Sequence, residues 1–121
     1  MKMFNRETGE LDQQVLRSWQ KYDIRLILER NWPSLGPKLR GKISLICGGD
    51  DTFHLEEAVI LLCNFLKQKK GDAVCEIVPG RDHGDLYQPF DTYPDGLDAR
   101  IYKEMQMKFE AGSREREAVA R

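Results

Sequence analysis

The residues whose types and spacing suit acid–base chemistry lie in two short glycine-bearing loops, "GGDDTFH" at 48–54 and "PGRDHGD" at 79–85. A carboxylate that accepts the Nδ1 proton of an imidazole fixes its tautomer, leaves Nε2 as a general base toward a nucleophile, and stabilises the imidazolium that forms. Asp51 is the candidate acid, with Asp50 as runner-up, and His83 is the candidate base. Each has a plainer alternative. Asp50 or Asp51 would serve equally well as the cap of a helix starting at Thr52 or Phe53, and a histidine in a polar loop is commonly just solvated.

What gives the pair weight is the elements that precede the two loops. "KISLIC" at 42–47 and "AVCEIV" at 73–78 are short apolar, β-rich runs stopped by Gly48–Gly49 and by Pro79–Gly80, as expected for strands buried on both faces of a parallel sheet. Between them, "TFHLEEAVILLCNFLKQKK" places Leu55, Ala58, Val59, Leu62 and Leu66 on one helical face. It carries acid in its first turn and lysines in its last, a polarity that complements the helix dipole, and Gly71 is expected to end it. Two strands joined by one helix are parallel, so both loops leave the same edge of the sheet. Neighbouring strands lie ~4.8 Å apart, which brings Asp51 and His83 within reach of each other. The crevice outside the carboxyl ends of such strands is where open α/β sheets bind ligands.

Upstream, Leu11, Val15, Trp19 and Tyr22 recur at helical steps over roughly 11–21. "DIRLILER" is a second helical piece, expected to end near Asn31 because Pro33, Gly36 and Pro37 follow closely. Downstream, Leu97, Ile101, Met105 and Phe109 step by four along a final helix, and Gly112 and Ser113 mark residues 112–121 as an expected frayed tail.

Composition narrows the functional classes. Nineteen Lys and Arg against twenty Asp and Glu give a net charge of −1, so nothing suggests a nucleic-acid partner or an anionic membrane surface. No run approaches the ~18 apolar residues of a membrane span. "MKMFNRETGE" has no apolar signal region, which reads as a soluble, cytoplasmic protein if the chain start is genuine and leaves export open if a leader has been lost. Cys47, Cys63 and Cys75 are odd in number and lack C-x-x-C spacing, so they are expected as reduced, buried thiols with no metal site and no cofactor.

Taken in order, "GKISLICGGDDTFHLEEAVILLCNFLK", "AVCEIVPGRDHGDLY" and "LDARIYKEM" resemble the C-terminal part of serine esterases of the α/β-hydrolase fold, in the group that includes feruloyl-esterase-like enzymes. The upstream segment 8–42 resembles what precedes that strand in some bacterial members, so the resemblance covers all but the tail after Ala111. It implies a partial α/β-hydrolase domain over 1–111: a β-α-β-α run with parallel strands, preceded by short helices, in an incomplete sheet. It also implies that Asp51 and His83 are the acid and base of a Ser-Asp-His triad acting on a small-molecule ester, an order in which the serine comes first.

The chain departs from that pattern because it has no G-x-S-x-G elbow. Its serines, Ser18, Ser34, Ser44 and Ser113, do not sit between glycines on a strand-turn-helix, and the oxyanion-hole loop is missing as well. Cys47, at the end of the first strand, is a poor substitute nucleophile because residues before a tight turn point into packing. His54 reads as an exposed helix position beside the site, Trp19 and Trp32 as anchors of the N-terminal segment, and Arg81 and Asp82 as solvated. Two functions remain. The chain is the C-terminal segment of an ester hydrolase, or it is a non-catalytic α/β module; in both cases a missing half or another chain is expected at the open sheet edge.

Overall fold

A computed structural model describes residues 3–119, with side chains through Ser113. In chain order it contains α1 (Gln13–Trp19), a 3₁₀ turn (Gln20–Tyr22), α2 (Ile24–Leu39), β1 (Ser44–Gly48), α3 (Leu55–Gln68), β2 (Val74–Val78), a second 3₁₀ turn (Asp85–Tyr87) and α4 (Leu97–Val119). The architecture is mixed α/β. β1 and β2 form a two-stranded parallel sheet joined through α3, as the strand–helix–strand pattern predicts. The chain divides into two compact units, one made of 3–45 with Ala58–Cys75 and the other of Ile46–Glu57 with Glu76 onward.

In the first unit, aspartates start the helices. Asp12 accepts hydrogen bonds from the Gln14 and Val15 N–H groups at 2.9 and 3.1 Å, and Asp23 accepts from Leu26 N–H at 2.9 Å. Contrary to expectation, α2 does not stop near Asn31 but runs through Pro33 and Pro37 to Leu39. Each interior proline removes a ladder bond at a cost of ~3 kcal/mol. Burial opposes that cost, because Trp32, Leu35 and Leu39, all beyond the predicted stop, pack onto the cluster of Leu28, Phe65 and Leu66.

α3 ends in a Schellman turn: Gly71 N–H donates to Leu66 O and Lys70 N–H to Lys67 O. The residue in the left-handed region is Lys70, with φ of 55°, not the glycine. Gly71 lies close to its neighbours, because a Cβ there would stand 3.1 Å from Leu66 O and 3.2 Å from the Trp32 indole.

Cys63 and Cys75 are not reduced and buried as expected. They form a disulfide between half-buried α3 and exposed β2 positions, with Cα atoms 6.1 Å apart, while Cys47 remains free. An odd cysteine count with no C-x-x-C concealed two partners on adjacent elements. The bond closes a loop of 12 residues, so reduction is expected to cost about 3 kcal/mol. Denaturant midpoints with and without dithiothreitol measure this. An unchanged midpoint with three titratable thiols in the native protein would contradict it.

The second unit has its own core of Val78, Leu86, Tyr93 and Leu97, with Ile46 and Phe90 against it. Arg100 joins α4 to β2, since its guanidinium donates to Glu76 at 2.8 Å, to Glu104 at 2.7 Å and to the Tyr93 hydroxyl. Burial, then the bond to Glu76, pushes the Tyr93 phenol up to about 12.

Neither strand is buried on both faces. Ser44, Val74 and Cys75 are exposed, because two strands offer too little sheet for helices to cover. Of the predicted α4 stripe only Leu97 is buried, while Ile101, Met105 and Phe109 face solvent. The α4 backbone continues through Gly112 and Ser113, whose hydroxyl donates to Phe109 O. Of the expected 112–121 tail, Ala120 and Arg121 lie outside the described residues.

Candidate active site

The site lies within the second unit, where the loops after β1 and β2 are zipped together. Gly49 N–H donates to Val78 O at 2.8 Å and Asp50 N–H to Arg81 O at 3.0 Å, which extends the ladder past the strand ends. Glycine makes this approach possible, because a Cβ on Gly48 would fall 2.2 Å from Arg81 O. Gly48, read from sequence only as a strand stop, therefore sets the spacing between the acid loop and the histidine loop.

Asp51 takes both roles that the sequence left open. Its Oδ1 accepts from Phe53 N–H at 2.8 Å and Leu55 N–H at 3.3 Å, capping the turn that leads into α3. Its Oδ2 lies 2.8 Å from His83 Nδ1. At 3% exposure it is the one buried charged residue among those described, whereas the runner-up Asp50 is exposed and contributes only its backbone N–H to the loop pairing. Burial alone would raise the Asp51 carboxyl. The hydrogen bond from His83, the two backbone N–H groups and the imidazolium charge outweigh burial and hold the carboxyl below its ordinary value.

An ionised carboxylate can only accept hydrogen bonds, so Nδ1 carries a proton and in the neutral ring the lone pair is on Nε2. The His83 side chain is 45% exposed, and Nε2 makes no hydrogen bond among the described residues. The Phe53 ring meets the imidazole edge to face, with centroids 4.9 Å apart. The arrangement can therefore receive a proton from an incoming group at Nε2 and hold the resulting cation against Asp51.

Asp82 and Arg81 build the histidine loop and are not merely solvated. Asp82 Oδ1 accepts from Gly84 N–H at 2.7 Å and Asp85 N–H at 2.8 Å, while Asp82 N–H donates back to Asp85 Oδ1 at 2.7 Å. The D-x-x-D spacing around His83 is the signal that announces this reciprocal turn. The Arg81 guanidinium stacks over Phe90 at 4.1 Å and reaches Asp85 at 3.5 Å.

Cys47 donates weakly to Asp51 Oδ2 at 3.9 Å. Burial, then the negative charges of Asp51 and Glu56, pushes its thiol up, so it stays protonated and is no nucleophile. His54 sits just ahead of α3 with a left-handed φ of 54°; its ring is exposed, 3.6 Å from Glu56 Oε1. Glu56 Oε2 is a buried oxygen with no hydrogen-bond partner among the described residues, which no sequence signal indicated. No cluster of three potential metal ligands occurs among the described residues, and no helix there is long and apolar enough to cross a membrane.

Three native carboxyls, Asp51, Asp82 and Glu76, are held below their ordinary values. Burial opposes the lowering at Asp51 and Glu76, while backbone bonds from Asp85 and Gly84 dominate at Asp82. A depressed native value stabilises the fold above the unfolded value, and that stability is lost as pH falls through the native one. The melting temperature is expected to fall steeply only below about pH 4. His83→Ala, which removes the bond to Asp51, should flatten that acid limb; an unaltered limb in the variant would count against the pairing.

Comparison of the chain with protein-family models, curated proteins and solved structures gives no match.

Proposed function

We propose that this chain is the C-terminal segment of a serine carboxylic-ester hydrolase of the α/β-hydrolase fold, in which Asp51 and His83 are the triad acid and base and a small-molecule ester is the substrate. The observation that carries this reading is the 2.8 Å contact of a buried carboxylate with Nδ1 of a half-exposed histidine, at the carboxyl ends of two parallel strands. The order of acid before histidine supports it further.

In this reading Nε2 takes the proton of a serine hydroxyl as its oxygen attacks the ester carbonyl. It returns that proton to the departing alcohol and then activates water to release the acid and the free enzyme. The serine and the oxyanion donors come from polypeptide other than these 121 residues. Ser18, Ser34 and Ser113 support that assignment, since each donates its hydroxyl to a carbonyl of its own helix. The unpartnered Glu56 oxygen and the exposed Phe53, Ile101, Met105 and Phe109 are surfaces that further chain would cover.

Those same exposed side chains also favour a second reading, a non-catalytic α/β module that uses them to hold a partner. An active-site-directed fluorophosphonate separates the two. Native gene product captured with an antibody to α4 is expected to be phosphonylated on one serine, in the polypeptide that carries this chain or is bound to it. An unlabelled, folded product would leave only the module.

A further inference from the structure

Away from Asp51 and His83, the first unit contains a cleft of about 300 Å³, at the small end of ligand sites and large enough for a single ring. Its apolar wall is made by Trp32, Leu39, Ile43 and Leu66. The indole is approached by two bare glycine backbones, since a Cβ on Gly36 would come within 2.9 Å of it and one on Gly71 within 3.2 Å.

Arg40, Lys69 and Lys70 also line the cleft, and none of the three is ion-paired among the described residues. The Lys69 ammonium lies over the Phe65 ring, 5.7 Å from its centroid. The carboxylate in the lining belongs to Asp72 and is committed, both oxygens accepting from Gly41 N–H at 3.0 Å.

Basic residues at helix C-termini have a simpler use, complementing the dipoles of α2 and α3, and magnitudes decide how much remains. Each helix end presents about half a negative charge. Three cations opposed by one carboxylate and two such ends leave a surplus of about one positive charge. The geometry points to this cleft as a binding site for a small aromatic monoanion, a carboxylate on a single ring, with the ring against Trp32 and the carboxylate at Arg40 and Lys70. A dianion exceeds the available charge, and a neutral ring leaves the cations unanswered.

Lys70 provides a test that does not confound folding with binding. Its φ of 55° is one that glycine adopts freely, so Lys70→Gly removes the cation while relieving the backbone. With Trp19→Phe as background, the fluorescence of Trp32 is titrated with benzoate, benzyl alcohol and phenyl phosphate. Benzoate is expected to give a saturable change with Kd of about 1 mM. Benzyl alcohol and phenyl phosphate should each bind about tenfold more weakly, and Lys70→Gly and Arg40→Ala should each weaken benzoate by about fivefold, with Lys70→Gly leaving the melting temperature unlowered. The assignment is overturned if benzoate gives no saturable change, if benzyl alcohol matches it, if phenyl phosphate binds more tightly, or if folded Lys70→Gly binds benzoate as the parent does. This proposal is independent of the esterase reading, because the cleft contains neither Asp51 nor His83.

Discussion

On the proposed triad, His83→Ala in the full-length protein is expected to lower kcat on a small ester by about 10⁶ while leaving KM nearly unchanged, and Asp51→Asn by about 10⁴. The two losses differ because the residues act at different removes from the reacting atoms. In that reading, no group accepts the serine proton once His83 is gone. Without the Asp51 charge the imidazole persists, but an amide in place of Oδ2 can donate to Nδ1, which puts the ring proton on Nε2 where the lone pair is needed. Asp51→Asn retains an oxygen for Phe53 and Leu55 N–H, so it is expected to fold. Asp51→Ala leaves both donors without their acceptor and should lose stability as well as rate. Steady-state kinetics alongside thermal melts read these effects separately. If both His83→Ala and Asp51→Asn retain full turnover, neither residue belongs to a triad.

The second large effect is steric. Gly48→Ala introduces a Cβ at 2.2 Å from Arg81 O and 2.9 Å from Asp82 O, both backbone atoms with no flexible side chain to move aside. The acid and histidine loops must separate, which breaks the Gly49–Val78 and Asp50–Arg81 bonds and stretches the 2.8 Å contact of Asp51 with His83. A loss of about 3 kcal/mol is expected from overpacking together with two backbone hydrogen bonds. Gly49→Ala, whose Cβ would stand 3.3 Å from its nearest neighbours, is the milder control. Urea midpoints rank the two; equal midpoints would mean that the loops have room to adjust.

The strand–helix–strand unit was legible because its signals are local. Apolar runs of strand length were stopped by Gly or Pro, and the helix between them carried acid at its start and lysine at its end. Its parallel pairing then brought Asp51 to His83, which no pairwise spacing in the sequence could state. What the sequence concealed depends on contacts between distant segments. Pro33 and Pro37 argue against a helix until Trp32, Leu35 and Leu39 are seen against Phe65 and Leu66. Cys63 and Cys75 look like isolated core thiols until α3 and β2 lie side by side. Lys70 adopts the left-handed conformation normally given to glycine, while Gly71, one position later, lies against the Trp32 indole. The α4 stripe was correct as a helical period and wrong as a guide to burial, since only Leu97 finds a neighbour to bury it.

The division of labour within the Asp51 carboxylate bears on how such a sequence drifts. One oxygen holds the turn into α3 and the other holds His83, so on the proposed triad two kinds of selection would act on position 51 and only one on position 83. In a lineage that abandoned ester chemistry but kept the fold, the aspartate would persist as the acceptor for Phe53 and Leu55. The half-exposed histidine, held by Asp51 and Phe53, would be free to change. If the proposed triad holds, variation at 83 against constancy at 51 across descendants of this chain would record the loss of catalysis, and constancy at both its retention.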